Sequence, residues 1–323
     1  MRPALVVIAA ALVAAPIAAA VLLRPGAGTS AAVTPVPTAA TTTTTATTAS
    51  AAPSSPRFPA PPDGAVVFAR ELGGDDLALG VVPRAGSVLA QASLVSQQGT
   101  GVTGRSVAFV VQGKTAAAAA CGPGCYRAAL PVKGRPATVD VIVRGTPSAR
   151  WRVAMPATWP PKDGTALVDR AEAVWTSLRS LSFDESLSSG TGVTVHSAWQ
   201  VQAPDRLAYQ VKGGWQAVIV GPRRWDKPPG RASKWVESPQ SQLTQPIPGW
   251  VSVKDAHVIG RATVDGKPAT LVTFYDPGTP GWFELTIDDA TLRTMRVNMI
   301  ATAHFMQDDY GAFNAAAPIE PPR

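Results

Sequence analysis

The sequence is poor in the residues that carry most enzyme chemistry and metal binding. Its 323 residues include 2 cysteines and 3 histidines, and charged residues make up 16% of the chain. The histidines are scattered, and the sequence has neither the Gly-x-Ser-x-Gly elbow of hydrolases nor a glycine-rich phosphate loop followed by Lys-Ser/Thr. These absences leave no motif for a catalytic reaction. We therefore expect a non-enzymatic protein without a cofactor.

Charge is sparse, and its balance is basic. The formal net charge is +7 and the sequence pI is about 9.7. Lys and Arg are dispersed, and the one tight basic pair outside the N-terminus is Arg223-Arg224. The basic run interleaved with aromatic residues that is typical of nucleic-acid binding is missing. A mild basic bias suits an anionic membrane surface, so we expect a membrane, and no nucleic acid, among the partners.

The chain begins with a long uncharged segment. Residues 3–23 lie between Arg2 and Arg24, and as a helix they would span about 30 Å, the thickness of a bilayer core. A transmembrane anchor and a signal peptide both fit residues 1–24. We favour the anchor because the segment exceeds a usual signal core. The expected localisation is the cell membrane, with the folded domains extracytoplasmic, or secreted if the segment is cleaved.

A second composition change marks residues 25–62, which are rich in Ala, Thr, Pro and Ser and include the run Thr41–Thr45. Such a segment cannot bury enough apolar surface to offset the entropy of ordering the chain. It predicts a disordered linker. A plain spacer and an O-glycosylated stalk are both compatible with this composition.

Short alternating segments recur over residues 63–156. Val139, Val141 and Val143 share one strand face, with Asp140 on the other. About seven such segments separated by Gly and Pro indicate antiparallel strands, and we interpret the region as an immunoglobulin-like sandwich.

Both cysteines lie in the segment Cys121-Gly-Pro-Gly-Cys125. In an oxidising compartment this spacing favours a disulfide that joins the two strands of a hairpin. A redox dithiol normally has two intervening residues, and a zinc site would need two further ligands. A copper thiolate pair is the remaining chemical alternative.

Residues 157–323 begin with a helical pattern. Leu167, Ala171, Val174, Leu178 and Leu181 recur at helical spacing, which predicts an amphipathic helix over about residues 165–181. Asp163 and Thr165 are candidates for its N-cap. Eight or nine alternating segments follow, the last of them spanning 292–306. The expected fold class is α+β: a curved antiparallel half-barrel wrapped on one long helix.

The same region resembles the lipoprotein-carrier superfamily, which includes LolA carriers and LppX/LprG-like lipoproteins. The residues that carry the resemblance are Ala203-Pro-Asp-Arg-Leu207, then Val218–Gly221, then Arg223-Arg-Trp225, and the closing Asp309–Asn314 and Ile319–Pro322. The Cys-Gly-x-Gly-Cys-Tyr domain in tandem with it resembles modules found beside CopC/CopD-type copper-resistance proteins. The resemblance implies a lipid or acyl chain held against the helix. This sequence lacks the lipidated cysteine of a lipoprotein.

The expected function is that of a cell-envelope protein whose half-barrel cavity binds a lipid or another apolar molecule, with envelope proteins as further partners. Two alternatives remain: a copper-handling protein, for which His304 and Met306 are weak candidate ligands, and an interaction module with a filled interior. For the apolar cavity we predict a lining of Leu178, Trp199, Leu207, Tyr209, Val218, Trp225, Phe274, Phe283, Met295 and Met299. Most tryptophans are expected to pack in the core.

Overall fold

Two small antiparallel sheets form the first folded region of the computed structural model, which describes residues 59–190 and 192–323. The strands are β1 (Val66–Leu72), β2 (Asp75–Arg84), β3 (Ser87–Val95), β4 (Ser106–Val111), β5 (Lys114–Ala117), β6 (Ala119–Gly122), β7 (Cys125–Pro131), β8 (Thr138–Arg144) and β9 (Ala149–Ala154). One sheet has the order β1-β2-β3-β7-β6 and the other β5-β4-β8-β9.

The two small sheets share one hydrophobic core. Leu77 and Leu79 of β2 meet Phe109 of β4 and Val141 of β8 in it, and all four side chains are fully buried. Period-two alternation of this kind buries one face of each strand. The alternating pattern therefore predicts the strands well, apart from β5 and β6. The immunoglobulin-like topology stays a prediction.

A twelve-stranded antiparallel sheet dominates the rest of the chain. Its strands run in the order β10-β17-β18-β19-β20-β21-β11-β12-β13-β14-β15-β16. They are β10 (Lys162–Asp163), β11 (Ser180–Ser188), β12 (Thr194–Gln202), β13 (Arg206–Val211), β14 (Gln216–Val220), β15 (Arg223–Lys227), β16 (Val236–Pro239), β17 (Lys254–Val264), β18 (Lys267–Asp276), β19 (Gly281–Asp288), β20 (Thr294–Ala301) and β21 (His304–Gly311).

The expected α+β class with one long helix is wrong, because the described chain is nearly all β. Its single helix, α1, spans Thr165–Thr176 and has 12 residues. Residues 180–188, whose Leu181 continues the helical spacing, instead form β11, which pairs with β12 and β21 in the middle of the sheet. Leu181 fits both the helical spacing and an alternating strand pattern. The pairing with β12 on one side and β21 on the other decided in favour of the strand.

The helix begins at Thr165, as predicted, but its N-cap is Gly164 and neither Asp163 nor Thr165. The side-chain Oδ1 of Asp163 accepts a hydrogen bond from the Thr165 backbone N–H at 2.8 Å. This bond satisfies one of the amide groups that the first turn leaves without an intrahelical partner.

The long last strand expected over residues 292–306 is two strands. β20 ends at Ala301, and β21 begins at His304 and returns beside it, with Ala301 opposite His304. The turn places Ala303 at φ 54°, a conformation that favours Gly or Asn. Because Ala carries no turn signal, the alternation appeared continuous in the sequence.

Apolar side chains join the small sheets to the large one. Val67 of β1 and Ala78 of β2 lie in a buried cluster with Tyr275 of β18 and Trp282 of β19. The Gly64 backbone N–H also donates to Asp255 Oδ2 at 2.9 Å. The described residues accordingly belong to one compact unit.

The expected localisation, with a single N-terminal membrane anchor, is not supported. In the part of the chain that the structure describes, no helix is long and apolar enough to cross a bilayer. The proposed anchor at residues 1–24 and the linker up to residue 58 lie outside the described residues. The boundaries at 63–156 and 157–323 stay predictions.

Candidate functional site

Aromatic side chains form a continuous layer between the large sheet and helix α1. Trp175 of α1 contacts Tyr310 at 4.6 Å and Trp250 at 6.2 Å between ring centroids. Tyr310 contacts Phe183 at 4.9 Å, and Phe183 stacks on Trp199 at 5.5 Å. We call the connected set the aromatic layer: Trp175, Phe183, Trp199, Tyr209, Trp250, Phe274, Phe283 and Tyr310. It occupies the helix side of the sheet.

The connection between β16 and β17 helps to fill this side. Leu243, Gln245 and Trp250 of this segment are buried, and the Trp250 indole N–H donates to Glu172 Oε2 of α1 at 3.2 Å. The segment therefore contributes a ring to the aromatic layer and ties the layer to the helix.

Two carboxyl groups are buried on the same side of the sheet as the layer. Glu185 of β11 and Asp308 of β21 are cross-strand partners, with 8% and 4% of each residue exposed. Burial raises the pKa of both to about 7. The Tyr310 hydroxyl donates to Asp308 Oδ2 at 2.6 Å and partly opposes that shift. The Trp199 indole N–H partly opposes the rise in the Glu185 pKa, although no hydrogen bond joins the two groups. Protonated acids suit this apolar setting.

A groove of about 630 Å³ crosses β21, β11, β12, β13 and β14. Neighbouring side chains of a strand alternate between its faces. Phe183, Trp199 and Tyr209 belong to the aromatic layer on the helix side. The residues next to each of them in sequence therefore direct their side chains to the opposite face of the sheet. The groove side chains of that opposite face are Ser182, Asp184, Ala198, Gln200, Ala208, Gln210, Gln216, Val218 and Asp309, and Trp235 forms a wall.

The groove combines apolar and hydrogen-bonding surface. Ala198 and Ala208 leave the strands thinly covered, and Val218 and Trp235 add larger apolar surface. Gln200 and Gln210 supply amide donors and acceptors. The ammonium group of Lys227 lies 5.8 Å from the centre of the Trp235 ring and brings a positive charge to this wall. Such a lining can hold an amphipathic molecule whose apolar part lies on Trp235.

Acidic groups border the same groove. Asp184 and Asp309 are cross-strand partners in it. Asp309 is paired with the Arg296 guanidinium and accepts a hydrogen bond from Gln307 at 2.9 Å. Asp184 is exposed, so its carboxylate can accept hydrogen bonds from a ligand in the groove.

The ten residues predicted to line one cavity fall on two sides of the sheet. Trp199, Tyr209 and Val218 are among the residues around the groove, but only Val218 of these three directs its side chain to the groove face, because Trp199 and Tyr209 belong to the aromatic layer on the helix side. The Trp225 side chain shares the groove face with Val218, and its indole N–H donates to Glu237 Oε2 at 3.2 Å. The remaining six are buried: Leu178, Leu207, Phe274, Phe283, Met295 and Met299. Their contact with a ligand stays a prediction.

The candidate copper ligands lie on β21. His304 Nδ1 is 3.1 Å from the Thr302 carbonyl oxygen, and Met306 faces Met299 across the strand pair. Among the described residues, no group of three or more His, Cys, Asp or Glu side chains is placed to hold a metal ion. The copper hypothesis therefore gains no support.

The predicted disulfide is confirmed. Cys121 and Cys125 are bonded, with their Cα atoms 5.0 Å apart, and they join β6 to β7.

The sequence offered no prediction of the buried acids, because aspartates also occur frequently in turns. Asp288 does serve a turn, since its Oδ1 accepts a hydrogen bond from the Thr291 N–H at 2.7 Å. Asp76 is fully buried in β2, and burial raises its pKa to about 7. Asp308 lies on the same face of β21 as Met306 and Tyr310, each two residues away. That alternation was the available signal for a buried acid.

Comparisons with known proteins find distant similarity to solved structures of lipoproteins and of a LolA superfamily protein. No family model and no curated protein matches the sequence. The solved structure of lipoprotein LppX from Mycobacterium tuberculosis is 14% identical, with 48% of this chain and 97% of that chain covered and a TM-score of 0.37. LprF from Mycobacterium bovis is 10% identical, with 50% and 98% covered and a TM-score of 0.38.

A LolA superfamily protein from Nitrosomonas europaea is 7% identical, with 49% and 95% covered and a TM-score of 0.23. Each of these three solved structures matches about half of this chain. The tandem with a copper-resistance module stays a prediction.

Proposed function

We propose that this chain is a non-enzymatic binding protein that holds a lipid or another amphipathic molecule in the groove of the large sheet. The observation that carries the proposal is the groove itself. Its volume of about 630 Å³ lies within the usual range for small-molecule sites, about 300–1,000 Å³. Its wall at Trp235 and its glutamine side chains would receive the apolar and polar parts of one ligand.

The division of the sheet into two sides favours the groove over the helix side as the binding position. Trp175 and Trp199 are 4% and 6% exposed, and Phe274 is fully buried. A ligand on the helix side would have to displace these rings from one another. A ligand in the groove needs no such displacement, since Asp184, Ala198 and Gln210 are exposed.

Filling the groove tests the proposal. Ala208→Trp places a ring where Gln200, Ala208 and Val218 meet across three strands. A fluorescent fatty acid, titrated into the full chain, is expected to bind the wild type and to bind this variant at least tenfold more weakly. Ala129→Trp on β7 is the matched control, because Ala129 is exposed in the small sheets.

Two results would overturn the proposal. The first is no binding of the fatty acid or of a phospholipid probe by the wild type. The second is equal binding by Ala208→Trp, Ala129→Trp and the wild type, which would place the ligand outside the groove. Circular dichroism of each variant shows whether the sheet has been retained.

A further inference from the structure

Exposed apolar side chains gather at one end of the large sheet. In the described ranges, the exposed large hydrophobic side chains are Val193, Trp215, Val236 and Val251. The first three lie where β11 turns into β12, where β13 turns into β14, and at the start of β16. Clustered exposed apolar residues mark interaction sites more often than scattered ones do.

The strand register shows that these segments share that end. Ser188 is opposite Thr194, so the turn that contains Val193 closes β11 and β12. The Lys212 N–H donates to the His196 carbonyl at 2.8 Å, which brings the next turn beside β12. Gln216 is opposite Lys227, and Asp226 is opposite Val236, so the loop after β15 follows in the same row. We call the turn 212–215 and the loop 227–236 the basic tip.

The charge of the basic tip is entirely positive. The tip contains Lys212, Lys227, Arg231 and Lys234 and no acidic residue, and the turn 189–193 contains none either. The acids that flank the loop are already paired: Asp226 lies 2.8 Å from Arg224, and Glu237 lies 3.5 Å from Arg223. The positive charge is therefore not neutralised within the tip.

The loop of the tip has a defined conformation. The Ser233 hydroxyl donates to the Pro228 carbonyl at 2.7 Å, and the Lys227 ammonium lies over the Trp235 ring. These contacts hold the loop so that Arg231 and Lys234 are exposed beside Val236. Exposed Trp and Val side chains next to Lys and Arg are the pairing found where proteins lie in the headgroup region of a bilayer.

We propose that the basic tip docks this protein on an anionic lipid bilayer surface. The apolar side chains enter the headgroup region, and the long basic side chains reach the lipid phosphates. This surface adjoins the proposed groove, because Trp235 belongs both to the tip and to the groove wall. A docked tip would therefore bring the groove next to the lipid.

Charge reversal at the tip tests the proposal. The full chain is mixed either with vesicles of phosphatidylcholine alone or with vesicles that also contain about 30% of the anionic lipid phosphatidylglycerol. The binding gained from the anionic lipid is measured by sedimentation. Each basic residue near such a surface strengthens binding about fivefold. The triple variant Lys212→Glu, Arg231→Glu, Lys234→Glu is therefore expected to reduce this gain by roughly 100-fold or more, because each substitution removes a positive charge and adds a negative one.

A matched control separates the tip from the total charge. The control carries Arg84→Glu, Lys114→Glu and Lys133→Glu, which change the net charge by the same amount. All three residues are exposed, two of them on strands of the small sheets and Lys133 in the connection between β7 and β8. We expect this control to keep most of the anionic-lipid gain. Trp215→Gln with Val236→Ser is expected to weaken binding even at high salt, because screening removes the charge contribution and leaves the apolar one.

Hydrogen exchange locates the contact without relying on total binding. Amides of 212–215 and 227–236 are expected to become protected with anionic vesicles, while those of β2 and β8 do not change. Equal losses in the tip and control variants, or unchanged exchange at the tip, would overturn the proposal. So would protection by soluble polyglutamate but not by vesicles, since an acidic protein would then be the partner.

Discussion

The two faces of the large sheet differ in what covers them. On the helix side, rings from α1, from the β16–β17 connection and from six strands are in contact, and two protonatable acids are buried beside them. On the other face, short side chains and amides leave an open groove. The helix side of the sheet therefore stabilises the fold, and the groove face is open to solvent.

The largest expected effect comes from the helix side. Phe274 and Phe283 stack at 5.2 Å and are 0% and 2% exposed. Phe283→Ala is expected to lower the free energy of unfolding by about 3–5 kcal/mol, through lost burial and the cavity left behind. Urea denaturation measures it. A loss below about 1 kcal/mol would show that this side does not carry the stability.

An intermediate effect is expected from the buried acids, and it depends on pH. The Glu185 pKa is raised to about 7 in the folded chain, so the folded state holds a proton that the unfolded state releases near pH 4. The contribution of this group to stability is complete below that pH and falls as the pH rises towards 7. Glu185→Gln is therefore expected to stabilise the protein at pH 8 by about 1–3 kcal/mol relative to wild type.

The neighbouring residue supplies the control for that pH effect. Asp184 precedes Glu185 on β11 but is exposed on the groove face. Asp184→Asn should leave the slope of stability between pH 5 and pH 8 as in the wild type, whereas Glu185→Gln flattens it. If both variants retain the wild-type slope in urea titrations, the pH dependence does not come from Glu185.

The smallest effect is expected in the groove. Gln200→Ala and Gln210→Ala should each change the free energy of unfolding by no more than about 0.5 kcal/mol, because neither side chain is buried. The same variants are expected to weaken fatty-acid binding several-fold. Thermal denaturation measures the change in stability and probe titration measures the change in fatty-acid binding, both on the same preparation of each variant. A large loss of stability would show that the groove face also holds the fold together.

Local sequence signals predicted most strands, the disulfide and the helix start. Alternation of apolar residues is sufficient for a strand such as β8, since one face of it is buried whatever its neighbour. The Cys121–Cys125 spacing allowed a bridge without knowledge of the fold. For the disulfide and the helix start, the deciding interaction lies within a few residues of the signal.

The positions that the sequence misassigned depended on distant partners. Residues 180–188 became a strand because β12 and β21 pair with them on both sides, and that pairing overrode the helical spacing. The turn at Ala303 formed without a glycine because β20 and β21 pair across it. Local patterns do not encode such pairings.

The sequence by itself therefore determined where most strands lie and that most tryptophans would pack in the core. Only the tertiary structure decided which face of the sheet those rings fill, where Glu185 and Asp308 meet, and that the groove lies on the face opposite the helix. The physical reason is that alternation assigns a side chain to one of two faces, while the placement of α1 and of Trp250 determines which face is covered.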